Sequence, residues 1–294
     1  MGDSSTARIV RQLFLASRPV SWINTAFPFA AAYYLAAGRI DAVLVVGTIF
    51  FLVPYNLAMY GINDVFDYKS DLANPRKGGI EGAVLERGVH RLIVRVAVLV
   101  CVPFVAALVM AGPPASWMVL AVSLFAVAAY SLPGLRFKEK PFLDSITSST
   151  HFISPAVYGL SMAEVHLTPG LVALLAGFFL WGVASHAFGA VQDVLPDLDG
   201  GIGSIATVMG AKWTVRFAIG AWAAAGLLML LTAWPGPLAA LLALPYIATA
   251  WPFRSVSDQE SEEANRGWKR FIWINYSVGF LVTMLLIVYA LERV

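Results

Sequence analysis

The sequence predicts an all-α integral membrane protein with nine transmembrane helices and its N-terminus on the cytoplasmic side. Three observations predict it. Of 294 residues, 59% are hydrophobic and only 13% are charged, about half the charged fraction of an average soluble domain. The apolar residues gather into runs long enough to cross a hydrocarbon core about 30 Å thick. The positive charges gather in alternate connections between those runs, as expected when one face looks into the cytoplasm.

The runs fall at residues 19–38, 41–60, 91–111, 115–132, 142–162, 169–191, 212–233, 236–253 and 269–290. The first 18 residues are polar and basic, so the first apolar run reads as a true span and not as a signal peptide. With the N-terminus inside, 18 of the 20 Lys and Arg residues lie on the inner side and only Arg39 and Arg293 lie outside. The outer connections, such as Gly38-Arg39-Ile40 and Gly112-Pro113-Pro114, are very short. The predicted location is therefore the plasma membrane, with the polar chemistry concentrated at its cytoplasmic face. The lone cysteine, Cys101, sits in an apolar run, which excludes a disulfide framework and a cysteine metal site. Nothing in the charge pattern suggests a nucleic-acid partner.

The second run leads into Asn63-Asp64-Val65-Phe66-Asp67-Tyr68-Lys69-Ser70-Asp71. If the helix continues, Asp64, Asp67 and Asp71 share one face. Like charges so placed repel and need an offset. Mg²⁺ is the natural one, because it takes oxygen ligands and links carboxylates to a substrate phosphate. Asn63 adds a neutral oxygen donor. The loop after it, Asn74-Pro75-Arg76-Lys77-Gly78-Gly79, offers Arg76 and Lys77 to phosphate oxygens, and its glycines allow close backbone approach to an anion. The competing reading is a solvated helix end with mixed charges. Acidic residues contribute little to topology, so the membrane boundary alone does not account for them.

The sixth run leads into a second acidic stretch, Gln192-Asp193-Val194-Leu195-Pro196-Asp197-Leu198-Asp199-Gly200-Gly201-Ile202. Asp193 and Asp197 stand four residues apart and can share a face, while Asp199 is out of register. Pro196 either starts a new turn or kinks the helix. The stretches echo one another. Each opens on an amide residue, Asp and Val, and each is followed by Gly-Gly-Ile, so the chain reads as one domain of two loosely related parts, about 1–140 and 141–294.

These residues resemble the UbiA superfamily of membrane prenyltransferases. The pattern N-D-x-x-D-x-x-x-D after the second span, with a second aspartate motif after the sixth, carries the resemblance across nearly the whole chain. It implies helices around a central cavity open to lipid, with Asp64, Asp67, Asp71, Asp193 and Asp197 holding Mg²⁺ and a prenyl diphosphate, and Asp64, Asp67, Asp193 and Asp197 essential to catalysis. It also implies diphosphate contacts from Tyr130, Arg136 and Lys138, in a segment similar to the family's tyrosine-plus-basic loop. The chain departs from the commonest pattern at Gly201, where a third aspartate of the second motif often stands. Within the family, Asn74-Pro-Arg-Lys-Gly-Gly-Ile-Glu-Gly-Ala83 and Gly201-Ile-Gly-Ser-Ile-Ala-Thr207 resemble the lycopene elongase branch, whose members add C5 units to lycopene to build C50 carotenoids. The expected partners are a prenyl diphosphate, a lipophilic acceptor such as lycopene, the bilayer, and other carotenoid enzymes in a complex.

Loss of diphosphate from an allylic donor leaves a carbocation, which cationic side chains and aromatic faces stabilise. Tyr55, Tyr60, Phe66, Tyr68, Trp181 and Phe188 lie near the motifs along the chain. His186, two helical turns before Asp193, is a candidate proton acceptor; the alternative is a histidine hydrogen-bonded between helices. An aromatic acceptor of the quinone, haem or chlorophyll type fits the same donor chemistry. A transporter fits less well, because it needs polar residues through the full membrane depth.

Overall fold

A computed structural model describes residues 2–68 and 85–292. Among the described residues there is no strand, and helices carry the architecture. They group into two compact units, Met1–Arg136 with His151–Val165, and Phe137–Thr150 with His166–Val294.

The first unit opens with α1 (Gly2–Ala16) and, after a short 3₁₀ turn, α2 (Trp22–Ala37). Gly38 ends α2 in the left-handed region at φ 64°. Asp41 then caps α3 (Ala42–Leu52) by accepting the Leu44 N–H at 3.0 Å. That backbone hydrogen bond, with Arg39 at 2.7 Å, holds the Asp41 carboxyl down to about 2. The predicted second span, 41–60, is two helices, because α4 (Pro54–Phe66) begins at a proline that has no N–H to continue α3. The broken ladder is repaired from the side. Asn56 Nδ2 donates to the Phe51 and Leu52 carbonyls at 2.8 and 3.0 Å, and the Thr25 hydroxyl donates to Phe51 at 2.6 Å. A membrane interior leaves no water to do this.

Helices α5 (His90–Ala111) and α6 (Pro114–Ser131) follow. The core of this unit is aromatic: Phe29, Phe51, Tyr55 and Tyr158 are fully buried, and the ring of Phe51 lies 5.2 to 5.8 Å from those of the other three. Helix α7 (Leu143–Met162) is divided between the units, with residues up to Thr150 in the second and those from His151 in the first.

The second unit holds α8 (Pro169–Val191), two short helices α9 (Val194–Gly200) and α10 (Ile205–Met209), then α11 (Ala211–Met229). A 3₁₀ segment over Gly236–Ala243 runs into α12 (Leu244–Ala250), and α13 (Asn265–Leu291) closes the described chain. Helices α8 and α11 lie antiparallel with their backbones close: a Cβ at Gly177 would stand 3.1 Å from the Ala225 carbonyl oxygen. Trp222, Tyr246 and Phe271 form the aromatic core.

Six of these segments are long and apolar enough to cross a membrane: Ala42–Phe66, Arg87–Ala111, Pro114–Ser131, Pro169–Val191, Gly236–Phe253 and Asp258–Leu291. The other three predicted runs, 19–38, 142–162 and 212–233, correspond to α2, α7 and α11. Helix α2 is short at 16 residues. Helix α7 carries Asp144, His151 and several Ser and Thr, and α11 carries Lys212 and Arg216 in its first turns.

Candidate active site

The first acidic stretch lies at the end of α4. The helix stops at Phe66, and Asp67 is its C-cap, its N–H donating to the Asn63 carbonyl at 2.9 Å. Asn63 and Asp64 therefore project from the last helical turn and Asp67 from its cap. Asp71, Arg76 and Lys77 lie outside the described residues, so the expected continuation of one acidic face is seen only as far as the cap.

The Asp64 carboxylate is buried at 1% exposure. Arg18 meets it, donating from a terminal guanidinium nitrogen to Oδ1 at 2.7 Å. The same guanidinium lies 4.4 Å from the centre of the Tyr60 ring, so an aromatic face and a carboxylate share one cation. Arg18 sits at the α1–α2 junction with a left-handed φ of 48°, a conformation a bulky side chain adopts only under constraint. Asp67 has a looser ion pair with Arg136 at 3.6 Å. The Ser131 hydroxyl donates to Asn63 Oδ1 at 2.9 Å, and the neighbouring Tyr130 ring stands edge-on to His151 at 5.5 Å. His151 Nδ1 is 3.2 Å from the Tyr55 hydroxyl, which places this membrane-depth histidine in a polar contact between helices. In this unit the structure thus brings Asn63, Asp64, Asp67 and Arg136 into one neighbourhood, while the Tyr130 ring stands beside His151.

The second acidic stretch also lies at a helix end. Helix α8 stops at Val191 and the chain restarts as α9, with Pro196 in its first turn, so the proline begins a new helix. The Asp197 N–H donates to the Asp193 carbonyl at 2.8 Å, which sets the two residues one turn apart. Gly201 ends α9 with φ 66°, a left-handed turn where an L side chain is strained. Asp199 is exposed and off this face. Gln192 is pinned by the Asn265 side-chain amide. Lys138 belongs to the same unit, in a 3₁₀ turn over Phe137–Glu139. His186 Nδ1 is 3.1 Å from the Ser145 hydroxyl, so this histidine too is tied between helices.

The donors in both stretches are oxygens of carboxylates and one amide, the set a hard divalent cation prefers. The buried Asp64 carboxylate already carries a cation, so that position demands positive charge. The residues present fit Mg²⁺. Among the described residues no three His, Cys, Asp or Glu side chains converge as a preformed metal site.

Arg18, Ser131, Asp144 and Ser145 escaped the sequence reading. Arg18 was hidden among topology-setting cations. An acid inside a predicted span, as Asp144 is, was the signal that could have found the last pair.

A fold of membrane-length helices whose ends carry two aspartate motifs defines a class, the intramembrane prenyltransferases. The UbiA prenyltransferase family model matches residues 25–290, and the chain belongs to that family. It is an integral membrane enzyme. The chain is 54% identical over 283 residues to the "C(50) beta-cyclic carotenoids biosynthesis protein LbtBC" of Dietzia, covering 96% of this chain and 66% of that one. It thus spans about two thirds of that relative's length. It is 47% identical to the lycopene elongase/hydratase of Corynebacterium glutamicum, covering 95% and 97% of the two chains. Among solved structures, a UbiA homologue of Archaeoglobus fulgidus bound to DMAPP and Mg²⁺ shares the fold, with a TM-score of 0.63 and 18% identity over 91% of this chain and 98% of that one.

Proposed function

We propose that the protein transfers a C5 prenyl group from dimethylallyl diphosphate to the ends of lycopene, a step in C50 carotenoid biosynthesis. The observation that carries the reading is the buried Asp64 carboxylate at the end of α4, held by a guanidinium beside Asp67 and Arg136. A polyanionic leaving group needs such a mix of carboxylates for metal and cations for phosphate. The names of the relatives support the acceptor, and the DMAPP-bound neighbour supports the donor.

In this reading Asp64, Asp67, Asp71, Asp193 and Asp197 hold the metal. Bound Mg²⁺ would neutralise the diphosphate and make it a better leaving group. Asn63, Arg76, Lys77, Arg136, Lys138 and the Tyr130 hydroxyl contact phosphate oxygens and fix their orientation. The C1–O bond breaks with its electron pair going to diphosphate. The terminal double bond of the acceptor then forms the new C–C bond and carries the positive charge. That cation either loses a proton, for which His186 is the acceptor, or adds water, the outcome in the relatives' name hydratase. We further propose nine spans with the N-terminal segment in the cytoplasm, both units acting as one domain in the plasma membrane, and association with other carotenoid enzymes.

The test is expression in cells that accumulate lycopene, with pigments resolved by chromatography and mass spectrometry. New C45 and C50 carotenoids are expected. They should vanish with Asp67→Ala or Asp193→Ala at unchanged protein level, and in membranes treated with EDTA until Mg²⁺ is restored. Unmodified lycopene beside inserted wild-type protein overturns the acceptor. Full activity in either aspartate variant overturns the site.

A further inference from the structure

We propose that Asp144 is a positioning residue that serves two parts of the reaction at once, as the counter-charge to His186 and as the anchor of the loop behind the second acidic motif. The inference rests on the prenyl-transfer reading and extends it. Asp144 opens α7 and is fully buried. Among the described residues no guanidinium or ammonium forms an ion pair with it. Its carboxylate instead accepts two backbone N–H groups. Oδ1 takes the N–H of Ser145 at 2.7 Å, and Oδ2 takes the N–H of Ile205 at 2.7 Å, across 61 residues of sequence. Ile205 is the first residue of α10, directly after the turn Gly201–Ser204 that closes the Asp193–Asp197 stretch.

The turn is fastened at other points too. The Ile202 N–H returns to the Asp197 carbonyl at 2.8 Å, and Ser204 and Thr207 cap α10 reciprocally. A Cβ at Gly203 would come 2.8 Å from the Glu139 carbonyl oxygen, so the turn lies directly on the backbone of the Lys138 segment. Asp144 joins these pieces, because one carboxylate oxygen holds the start of α7 and the other holds the start of α10. The neighbouring Ser145 hydroxyl meets His186 Nδ1 at 3.1 Å, and the N–H of the same Ser145 donates to Asp144 Oδ1, so one residue joins the carboxylate to the imidazole. Asp144 and Ser145 are buried, and His186 is half-buried beside them.

The chemistry gives this arrangement a purpose. When the acceptor cation loses a proton, the C–H electron pair becomes the new C=C bond and the proton passes to His186 Nε2. When water adds instead, a water lone pair forms the C–O bond and a water proton takes the same path. Either way an imidazolium forms, its Nδ1–H donating to Ser145 Oγ. A buried carboxylate nearby stabilises that charge without reorganising at the moment of reaction.

The test uses the full-length protein in lipid nanodiscs with dimethylallyl diphosphate, Mg²⁺ and lycopene. It reads kcat, KM for the diphosphate, the ratio of olefinic to hydroxylated product, and hydrogen exchange at the Ile205 amide. Asp144→Asn removes the charge and keeps the shape. It should lower kcat about tenfold, change the product ratio, and leave KM within about twofold, because a carbonyl oxygen still holds one N–H. Asp144→Ala should also raise KM and speed exchange at Ile205. Ser145→Ala should lower kcat and shift the product ratio with Ile205 exchange unchanged. Wild-type kcat and product ratio in Asp144→Asn overturn the counter-charge, and unchanged Ile205 exchange in Asp144→Ala overturns the anchor. Absence of prenyl product from wild type overturns the prenyl-transfer reading instead, and the exchange measurement still decides the anchor.

Discussion

Arg18 shows how much a single side chain decides in a membrane protein. It joins a carboxylate of zero side-chain exposure at 2.7 Å and covers the Tyr60 ring. Removing one partner of a buried ion pair costs about 3–5 kcal/mol. Arg18→Ala should therefore lower the melting temperature of metal-free protein in detergent markedly. The same variant should gain more stability from Mg²⁺ than wild type does, because the metal then meets Asp64 without displacing a guanidinium. Equal Mg²⁺-induced shifts in the two proteins would mean that Arg18 and the metal do not share that carboxylate. The sequence displayed Asp64 and Asp67 plainly, since acids beside an apolar run have no topological excuse. It concealed Arg18, because an arginine at the edge of a span is already explained by membrane orientation. It concealed the anchor at Asp144 for a different reason. The partner there is a backbone N–H far along the chain, and a backbone group has no signature in sequence.

At the scale of the element, hydropathy and hydrogen bonding give different readings of the same residues. Averaged over a window, 41–60 is one apolar span; by hydrogen bonding it is α3 and α4, parted at Pro54. The proline was in view, but hydropathy counts it as merely less apolar and ignores the N–H it lacks. Beyond the break, the last turn and cap of α4 carry Asn63, Asp64 and Asp67. Asn56 keeps the break tolerable by donating to Phe51 and Leu52 while itself fully buried. Asn56→Leu should therefore destabilise the protein by about 1–3 kcal/mol, the penalty for leaving buried carbonyls unsatisfied. Pro54→Ala removes the ring that bars a regular turn, so the Tyr55 and Asn56 N–H groups can return to the Phe51 and Leu52 carbonyls. In that background the loss from Asn56→Leu should shrink, a coupling that a double-mutant cycle of thermal unfolding measures. Additive losses would show that the amide acts by packing alone.

For the whole molecule, the outstanding quantity is orientation, and it is where charge counting makes its strongest claim. Among the described residues six helical segments have the length and apolarity to cross a membrane, a property that has no direction. Direction comes from the placement of Lys and Arg, of which only Arg39 and Arg293 fall outside when the N-terminal segment is inside. The first unit offers a clean experiment. Its helix α5 has 22 residues, about 33 Å at 1.5 Å per residue, enough for one crossing. Arg91 lies at the start of that helix and Arg39 in the α2–α3 connection, and both are exposed. The only native thiol, Cys101, is 8% exposed, so background labelling is low. In intact cells, a membrane-impermeant maleimide should label Arg39→Cys and spare Arg91→Cys until the membrane is opened. The reverse pattern would invert the first unit and carry its acidic motif to the outer face, away from any cytoplasmic supply of prenyl diphosphate. Protection of both sites before permeabilisation would mean that the connection after α2 does not reach the outer surface. Orientation and substrate supply are thus one question, because the side toward which the end of α4 faces decides which diphosphates Asp64 and Asp67 encounter.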